Sequence, residues 1–148
     1  AALDLVALDT NAIIYFLDRT EPYFQLVEAV FARAERGETE IVVSALVETE
    51  LLVGPLRAGD VRAVETVRLL LDHFPALRVW PIDRAVARAA AELRAVDRLA
   101  TPDALIAATA LVAGAGALIG NDERCAARLS RLDYVLLSDY VPRPTSSP

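Results

Sequence analysis

Lysine is absent from this sequence of 148 residues, and cysteine occurs only once. Without lysine the chain cannot carry a P-loop, whose lysine contacts nucleotide phosphates, and it cannot perform Schiff-base or pyridoxal-phosphate chemistry. The absence also disfavours receiver domains and haloacid-dehalogenase-type phosphatases, which place a lysine beside their aspartate cluster. Cys125 alone can form neither an internal disulfide nor a thiolate-rich metal site. We therefore expect it to be a small core residue of a protein in a reducing, cytoplasmic location.

Long apolar runs are also missing from the chain. No apolar stretch reaches the roughly 18 residues that a transmembrane helix needs, and no basic segment followed by an apolar one indicates a signal peptide. Apolar residues nevertheless make up 55% of the chain and charged residues 24%, which is typical of a globular domain with a sizeable core. We therefore expect one folded domain that has no membrane partner.

Positive charge is scarce. All 15 basic residues are arginines, and 21 acidic residues bring the net charge to −6. This balance disfavours a general nucleic-acid binder that acts through a basic surface. Any phosphate contact must come from arginine, and Arg94 and Arg98 are candidates, with solvated helix charge as the simpler interpretation. The single histidine, His73, lies near the end of a predicted helix, which favours a structural role.

Short apolar runs alternate with helical segments along the chain. Five runs are predicted strands, at residues 5–8, 41–43, 78–80, 118–119 and 135–137. Seven segments are predicted helices, at residues 11–17, 21–36, 45–53, 61–73, 84–96, 101–113 and 121–130. The alternation predicts an α/β fold, a single three-layer α/β/α domain with a central parallel sheet over residues 1–141. Residues 142–148 form a Pro/Ser tail that we expect to be disordered.

Several helix ends carry specific signals. Ser44 and Asp83 are predicted N-caps. Gly54 and Pro55 are predicted to end the third helix. Thr101 is predicted to cap the sixth helix, ahead of a proline in its first turn. That sixth helix is apolar on nearly every side, which predicts that it is buried.

Four acidic residues lie at strand-to-helix junctions or early in predicted helices. They are Asp9, Glu50, Asp103 and Asp122. Taken singly, such an acid also fits a helix N-cap or a charge that stabilises the positive end of the helix dipole. Thr10 and Asn11 can cap the first helix in place of Asp9, and Asn121 can cap the last. Because the carboxyl ends of parallel strands meet at one edge of a sheet, we expect the four acids to converge there.

Glu50 is the candidate from the third helix. It shares a helix face with Leu46, Val47 and Val53, and a carboxylate on an apolar stripe is costly unless it is paired or binds a metal. Glu48 is the neighbouring alternative, but it lies about 200° around the same helix, so both side chains cannot face one site. We therefore place Glu50 in the site and interpret Glu48 as a solvated or partner-facing acid.

Carboxylates gathered at one edge repel one another, and each raises the pKa of its neighbours. A divalent cation relieves that repulsion, and a ligand set made only of oxygen atoms favours Mg²⁺ or Mn²⁺. The four acids therefore predict a metal site.

The segments that contain these acids resemble, in order and spacing, the four motifs of the PIN domain. They read LDTNAIIY around Asp9, SALVETELLVGP around Glu50, TPDALIAATA around Asp103 and GND ending at Asp122. The likeness covers about residues 4–140. A small single-domain chain of this type is similar to VapC toxins, the ribonuclease half of bacterial toxin–antitoxin pairs.

The resemblance implies metal-dependent hydrolysis of RNA phosphodiester bonds, leaving a 5′-phosphate and a 3′-hydroxyl. The four acids would hold one or two Mg²⁺ or Mn²⁺ ions that activate water. The resemblance also implies a homodimer and an antitoxin partner that places a basic, partly disordered segment over the acidic site. Thr10, Asn11 and Asn121 are candidates for supporting or substrate contacts, with helix capping as their alternative role.

One position departs from the PIN pattern. Gly120 stands where the family often has Thr or Ser, whose hydroxyl can help to hold the metal or its water, and Asn121 and Thr10 are the candidates to compensate. Two other functions stay open at this point. One is a PIN fold that binds RNA or protein without cutting, and the other is a phosphatase that uses Asp9. A phosphatase is the less favoured of the two, because Asn11 stands where a second aspartate is expected and lysine is absent.

Overall fold

The computed structural model of the chain describes residues 4–143. Its five strands are β1 (Asp4–Leu8), β2 (Thr39–Ser44), β3 (Leu77–Trp80), β4 (Ala117–Gly120) and β5 (Asp133–Leu136). Its α-helices are α1 (Thr10–Leu17), α2 (Phe24–Glu35), α3 (Ala45–Ala58), α4 (Val61–His73), α5 (Arg84–Asp97), α6 (Thr101–Ala113) and α7 (Glu123–Arg128). A short 3₁₀ helix follows β5 at Leu137–Tyr140. The strands form one sheet in the order β3-β2-β1-β4-β5, and every pair is parallel. The predicted α/β/α architecture is therefore confirmed.

The central strand β1 sets the position of the sheet's carboxyl edge. Leu8 lies opposite Ile119 in the register between β1 and β4, and the backbone N–H of Asp9 donates a 2.9 Å hydrogen bond to the Ile119 carbonyl. Asp9 and Gly120 consequently leave the sheet side by side. Because β1 has a neighbour on both sides, residues that follow it lie in the middle of the edge where parallel sheets bind ligands.

The core fills the space between the sheet and its helices. Leu8, Val42 and Leu118 on three strands are almost inaccessible to solvent, as is Phe31 of α2. Helix α6 is buried from Ala104 onward along most of its length, which confirms the burial predicted from its composition. Cys125 is buried as expected, and His73 is exposed as the last residue of α4.

Helix α3 does not stop where the sequence predicted. It passes through Gly54 and Pro55 and ends at Ala58, followed by Gly59 in a left-handed conformation with φ of 66°. A proline in a helix clashes with the carbonyl four residues earlier and with the Cβ of the residue before it. Gly54 has no Cβ, so the clash between the proline ring and the preceding side chain does not arise. Only one helical turn follows the proline. The prediction that these two residues end the helix is therefore wrong.

Three other helix starts also differ from prediction. Helix α2 begins at Phe24 rather than near residue 21, because the preceding residues form a turn. The N-cap position of α6 belongs to Ala100, and Thr101 is already helical. Helix α7 is capped by Asp122, whose side chain accepts a hydrogen bond from the backbone N–H of Cys125. The predicted caps at Ser44 and Asp83 are confirmed, since their side chains accept from Leu46 and Val86.

Within residues 4–143, none of the helices has the length and apolar composition that a membrane crossing requires. The predicted disordered tail lies outside the described residues from position 144 onward. The boundary of the folded domain at residue 141 stays a prediction.

Candidate active site

The four predicted acids line one cavity of about 230 Å³ at the carboxyl edge of the sheet. Its lining consists of Asp9, Thr10, Asn11, Ile14, Glu50, Asp103, Ile106 and Asp122. Each acid comes from a different element, as expected from the topology. As the side chains stand, no three His, Cys, Asp or Glu residues within 4–143 are grouped closely enough to hold a metal ion together. A cation shared by three of the carboxylates therefore requires side-chain rotation toward the cavity.

Asp9 is the most enclosed of the four acids. Only 7% of it is exposed. Its Oδ1 accepts a 2.8 Å hydrogen bond from the Thr10 backbone N–H, and its Oδ2 accepts one of 3.2 Å from the Tyr134 hydroxyl. Burial raises the pKa of Asp9 to about 6, and the charges of Asp103 and Glu50 add to the rise. Asp9 itself caps α1, so the prediction that Thr10 or Asn11 replaces it as cap is wrong.

Glu50 lies at the rim of the cavity rather than on a buried stripe. Its residue is exposed, and its Oε1 accepts a 3.1 Å hydrogen bond from the Thr10 hydroxyl. Glu48, the alternative on the same helix, is half-buried and does not line the cavity. The prediction of Glu50 over Glu48 agrees with their positions, although Glu50 is exposed beside apolar side chains rather than buried among them.

Asp103 and Asp122 are the other two acids of the cavity lining. Burial is the main cause that raises the pKa of Asp103, followed by the charges of Asp122 and Glu50, and only Arg124 opposes the rise. Asp122 is held by its capping hydrogen bond to Cys125, which is 3.0 Å long. Burial, together with the negative charges of Asp103, Asp9 and Asp122, raises the pKa of Cys125 to about 12. The thiol therefore stays protonated and inert.

The predicted supporting residues mostly connect elements to one another. The side-chain Oδ1 of Asn11 accepts a hydrogen bond from the Asn121 backbone N–H. Asn121 donates from Nδ2 to the Tyr15 hydroxyl and accepts at Oδ1 from the Ser138 N–H. The side chain of Asn121 is thus fully engaged away from the helix start. This explains why Asp122 rather than Asn121 caps α7.

Sequence reasoning missed two residues of this region, Tyr134 and Arg124. Tyr134 lies on β5, and its hydroxyl contacts both Asp9 and the backbone of Asp122. Nothing in the sequence around Tyr134 indicated this contact, because it depends on the pairing of β5 with β4. Arg124 follows Asp122 by two residues, so its position next to the GND motif could have indicated that it lies near the site.

The arginines that the sequence nominated lie elsewhere. Arg94 donates from Nε to the Leu99 carbonyl at 3.4 Å. Arg98 ends α5 in a left-handed conformation, and its carbonyl accepts a hydrogen bond from Arg128. Neither residue lines the acidic cavity, which favours the solvated or structural interpretation of both. Arg124 is the arginine whose charge acts on Asp103.

A second cavity adjoins the first. Its volume is about 350 Å³, and it shares Ile14 and Glu50 with the acidic cavity. The rest of its wall comes from α1, α3 and α4 and is mostly apolar, as at Leu17, Leu51 and Val67. We call it the apolar groove. It places apolar surface directly beside the rim of the acidic cavity.

The chain matches a known protein family. The family model described as PIN domain matches residues 6–132. No curated protein matches the chain at a significant level.

Several solved structures share the fold. A toxin–antitoxin complex from Klebsiella pneumoniae contains a chain with 22% identity and a TM-score of 0.70; the match covers 89% of this chain and 97% of that one. VapBC2 from Rickettsia felis, bound to a DNA fragment from its promoter, gives 22% identity, a TM-score of 0.65 and coverage of 88% and 96%. VapC20 from Mycobacterium tuberculosis, a toxin that cleaves the sarcin-ricin loop, has 16% identity and a TM-score of 0.64; the match covers 86% of this chain and 98% of that one. At these identities the likeness establishes a common fold.

Proposed function

The chain belongs to the PIN domain family, and we propose that it is a metal-dependent endoribonuclease, the toxin of a toxin–antitoxin pair. The observation that carries the proposal is the cavity lined by Asp9, Glu50, Asp103 and Asp122. Four elements separated in sequence deliver one carboxylate each to the same place. Helix capping accounts for Asp9 and Asp122 taken singly, but it does not account for Glu50, which lies in the middle of α3.

The chemistry of this donor set fits Mg²⁺ or Mn²⁺. The cavity offers carboxylate, hydroxyl and amide oxygens, and its lining includes neither thiol nor imidazole. Burial raises the pKa values of Asp9 and Asp103, and the negative charges of neighbouring carboxylates raise them further. When bound, the ion would supply an acidified water and stabilise negative charge on the phosphate. We propose that Asp9, Glu50, Asp103 and Asp122 hold it.

The carboxylates of the site differ in how firmly hydrogen bonds hold them. Asp9 has a hydrogen bond on each carboxylate oxygen, and Asp122 is fixed through Cys125, so these two are pre-positioned. Glu50 is exposed and tied only through Thr10, so its carboxylate can turn toward the cavity. The site thus combines two anchored carboxylates with one, that of Glu50, which a single exposed hydrogen bond orients.

RNA is the proposed substrate. Because the chain has no lysine and a net charge of −6, its overall field does not attract RNA, and binding must rely on the metal site and on local arginine. Arg124 is exposed and lies close enough to Asp103 to affect its pKa. It is the arginine that we propose to contact a substrate phosphate.

The proposed partner is an antitoxin that carries a basic segment. The acidic cavity attracts such a segment, and the apolar groove beside it supplies surface for apolar side chains of the same partner. The similar chains of known structure include toxin–antitoxin complexes, which supports this assignment. We further propose that the toxin is a cytoplasmic homodimer.

Cleavage of labelled RNA with Mn²⁺ or Mg²⁺ tests the proposed activity, with EDTA and the Asp103→Asn variant as controls. We expect cleavage that needs the metal and disappears in the variant while the variant keeps its circular dichroism spectrum. Equal cleavage by both proteins in EDTA would contradict the proposal. Binding of RNA without cleavage would support the non-catalytic alternative, and metal-dependent hydrolysis of a small phosphate ester alone would support a phosphatase.

Growth arrest tests the toxin assignment separately. Expression of the wild-type chain in a bacterial host should arrest growth, and expression of Asp103→Asn should not. An active nuclease that leaves growth unaffected would retain the enzymatic proposal and contradict the toxin.

A further inference from the structure

We propose that Tyr134 is a positioning residue for the metal site, which holds Asp9 and the backbone of Asp122 in place with one hydroxyl group. The inference rests on the proposed function, because it assigns Tyr134 a task in the metal-dependent reaction. Tyr134 lies outside all four motifs that contain the acids.

The sheet brings Tyr134 to this place through its register. Tyr134 of β5 pairs with Leu118 of β4, so the two side chains lie on the same face of the sheet. Gly120 is two residues further along β4 and shares that face. Gly120 has no side chain, and the tyrosine ring therefore extends along the sheet toward the position where Asp9 leaves β1.

The hydrogen bonds of the hydroxyl have a defined direction. The backbone N–H of Asp122 can only donate, and it lies 3.0 Å from the Tyr134 oxygen. That oxygen is therefore the acceptor, and its own hydrogen is free to be donated to Asp9 Oδ2 at 3.2 Å. The remaining oxygen of Asp9 accepts from Thr10. Each carboxylate oxygen thus has one fixed partner and keeps a lone pair for a metal ion.

Gly120 leaves the space that the Tyr134 hydroxyl fills. A Cβ built at position 120 would overlap the Tyr134 hydroxyl and would lie 2.8 Å from the Asp9 Cβ. The space that a side chain at position 120 would use is taken by the tyrosine oxygen. A hydroxyl group therefore faces Asp9, but it comes from β5 rather than from position 120.

Neither of the two compensating residues expected from the sequence makes a side-chain hydrogen bond to Asp9. Thr10 donates its hydroxyl to Glu50, and Asn121 is engaged with Tyr15 and Ser138. Tyr134 is thus the residue that provides the hydroxyl contact to Asp9.

The test is the Mn²⁺ affinity of the full chain, measured by isothermal titration calorimetry for wild type and Tyr134→Phe. Loss of a partner that orients a metal ligand typically weakens metal binding about 10- to 100-fold, and we expect a loss in that range. Tyr140→Phe is the matched control, since Tyr140 is 64% exposed and does not line the acidic cavity. It should bind Mn²⁺ as wild type does. RNA cleavage by Tyr134→Phe should need a correspondingly higher Mn²⁺ concentration for half-maximal rate.

Thermal melts in EDTA separate positioning from a merely structural role. If Tyr134→Phe melts at a lower temperature but binds Mn²⁺ with wild-type affinity, the hydroxyl is structural and the inference is overturned. If the wild-type chain itself neither binds Mn²⁺ nor cleaves RNA, the proposed function fails, and the inference fails with it. Wild-type cleavage together with unchanged Mn²⁺ dependence in Tyr134→Phe would overturn the inference alone.

Discussion

The Thr10 hydroxyl donates a 3.1 Å hydrogen bond to Glu50 Oε1, joining two residues that are 40 positions apart in the sequence. Thr10 is the first residue of α1, and Glu50 lies in the middle of α3. The contact orients the most exposed of the four acids from the same helix start that Asp9 caps. The start of α1 therefore organises two of the proposed metal ligands at once.

Thr10→Val tests this coupling, because valine keeps the shape of threonine and removes the hydroxyl. We expect Mn²⁺ binding and RNA cleavage to weaken several-fold, since Glu50 loses its orienting partner. Stability should fall by only about 0.5–1.5 kcal/mol, the usual net contribution of one hydrogen bond. Thr10→Ser keeps the hydroxyl and should behave as wild type in calorimetric titration with Mn²⁺. Equal Mn²⁺ affinity in all three proteins would show that the contact does not serve the site.

Glu50 and Glu48 offer a matched pair on one helix. Glu50 lines the acidic cavity and Glu48 does not, so Glu50→Gln, which removes the charge of a proposed metal ligand, should lower the rate of metal-dependent RNA cleavage about 100-fold. Glu48→Gln should leave the rate within a factor of about two. Initial rates on one labelled RNA at fixed Mn²⁺ measure both. A larger loss in Glu48→Gln than in Glu50→Gln would reverse the assignment.

The sequence predicted the order of the elements and the meeting place of the acids, because both depend on local patterns and on the geometry of parallel sheets. Asp9, Asp103 and Asp122 each follow a strand or open a helix, so topology alone brings them to one edge. Tyr134 could not be predicted in this way. Its role depends on the register between β4 and β5, which local patterns do not reveal. Gly120 was visible as a departure from the PIN pattern, but the sequence does not show which side chain occupies the space beside it.

The helix ends show the same limit. Pro55 predicted a stop on local grounds, but α3 packs against α4 and continues for another turn. Asn121 and Asp122 are equally good caps by residue type. Asp122 is the cap because the side chain of Asn121 forms hydrogen bonds with Tyr15 and Ser138 instead. Neither partner is close to Asn121 in the sequence.

Asp9→Asn should stabilise the metal-free protein at neutral pH. Burial raises the pKa of Asp9 from 3.8 to about 6, so the folded state disfavours the ionised carboxylate. The stability that protonated Asp9 contributes is fully present below about pH 4 and is lost as the pH rises through about 6. Asparagine remains a good N-cap and carries no charge. We expect the free energy of unfolding of Asp9→Asn to exceed that of wild type by about 1–3 kcal/mol at pH 7.5 in EDTA, and to equal it at pH 3.5.

Urea denaturation in EDTA at the two pH values measures this difference. Asp133→Asn is the control, since Asp133 is exposed on β5 and should shift the midpoint little at either pH. Addition of Mn²⁺ should reverse the order, because the wild type gains more stability from binding than a variant that has lost one of the proposed ligands. A variant less stable than wild type at pH 7.5 in EDTA would contradict the cost assigned to the buried charge.

Gly120→Ala should destabilise the fold although it adds a single methyl group. The new Cβ would overlap the Tyr134 hydroxyl and lie 2.8 Å from the Asp9 Cβ and 3.0 Å from Asp9 Oδ2. Both neighbours are anchored, so the strain cannot be relieved by moving a flexible side-chain end, and overpacking of this kind costs about 1–3 kcal/mol.

Gly116→Ala is the matched control on the approach to the same strand. The atom nearest to its new Cβ is the Leu5 carbonyl oxygen at 3.9 Å, an ordinary contact, so its melting temperature should stay close to that of wild type. In the Tyr134→Phe background the overlap with the hydroxyl disappears while the contact with Asp9 remains, and the cost of Gly120→Ala should become smaller but not vanish. The double-mutant cycle therefore isolates the steric coupling between positions 120 and 134. An equal cost in both backgrounds would mean that Asp9 alone requires glycine at this position.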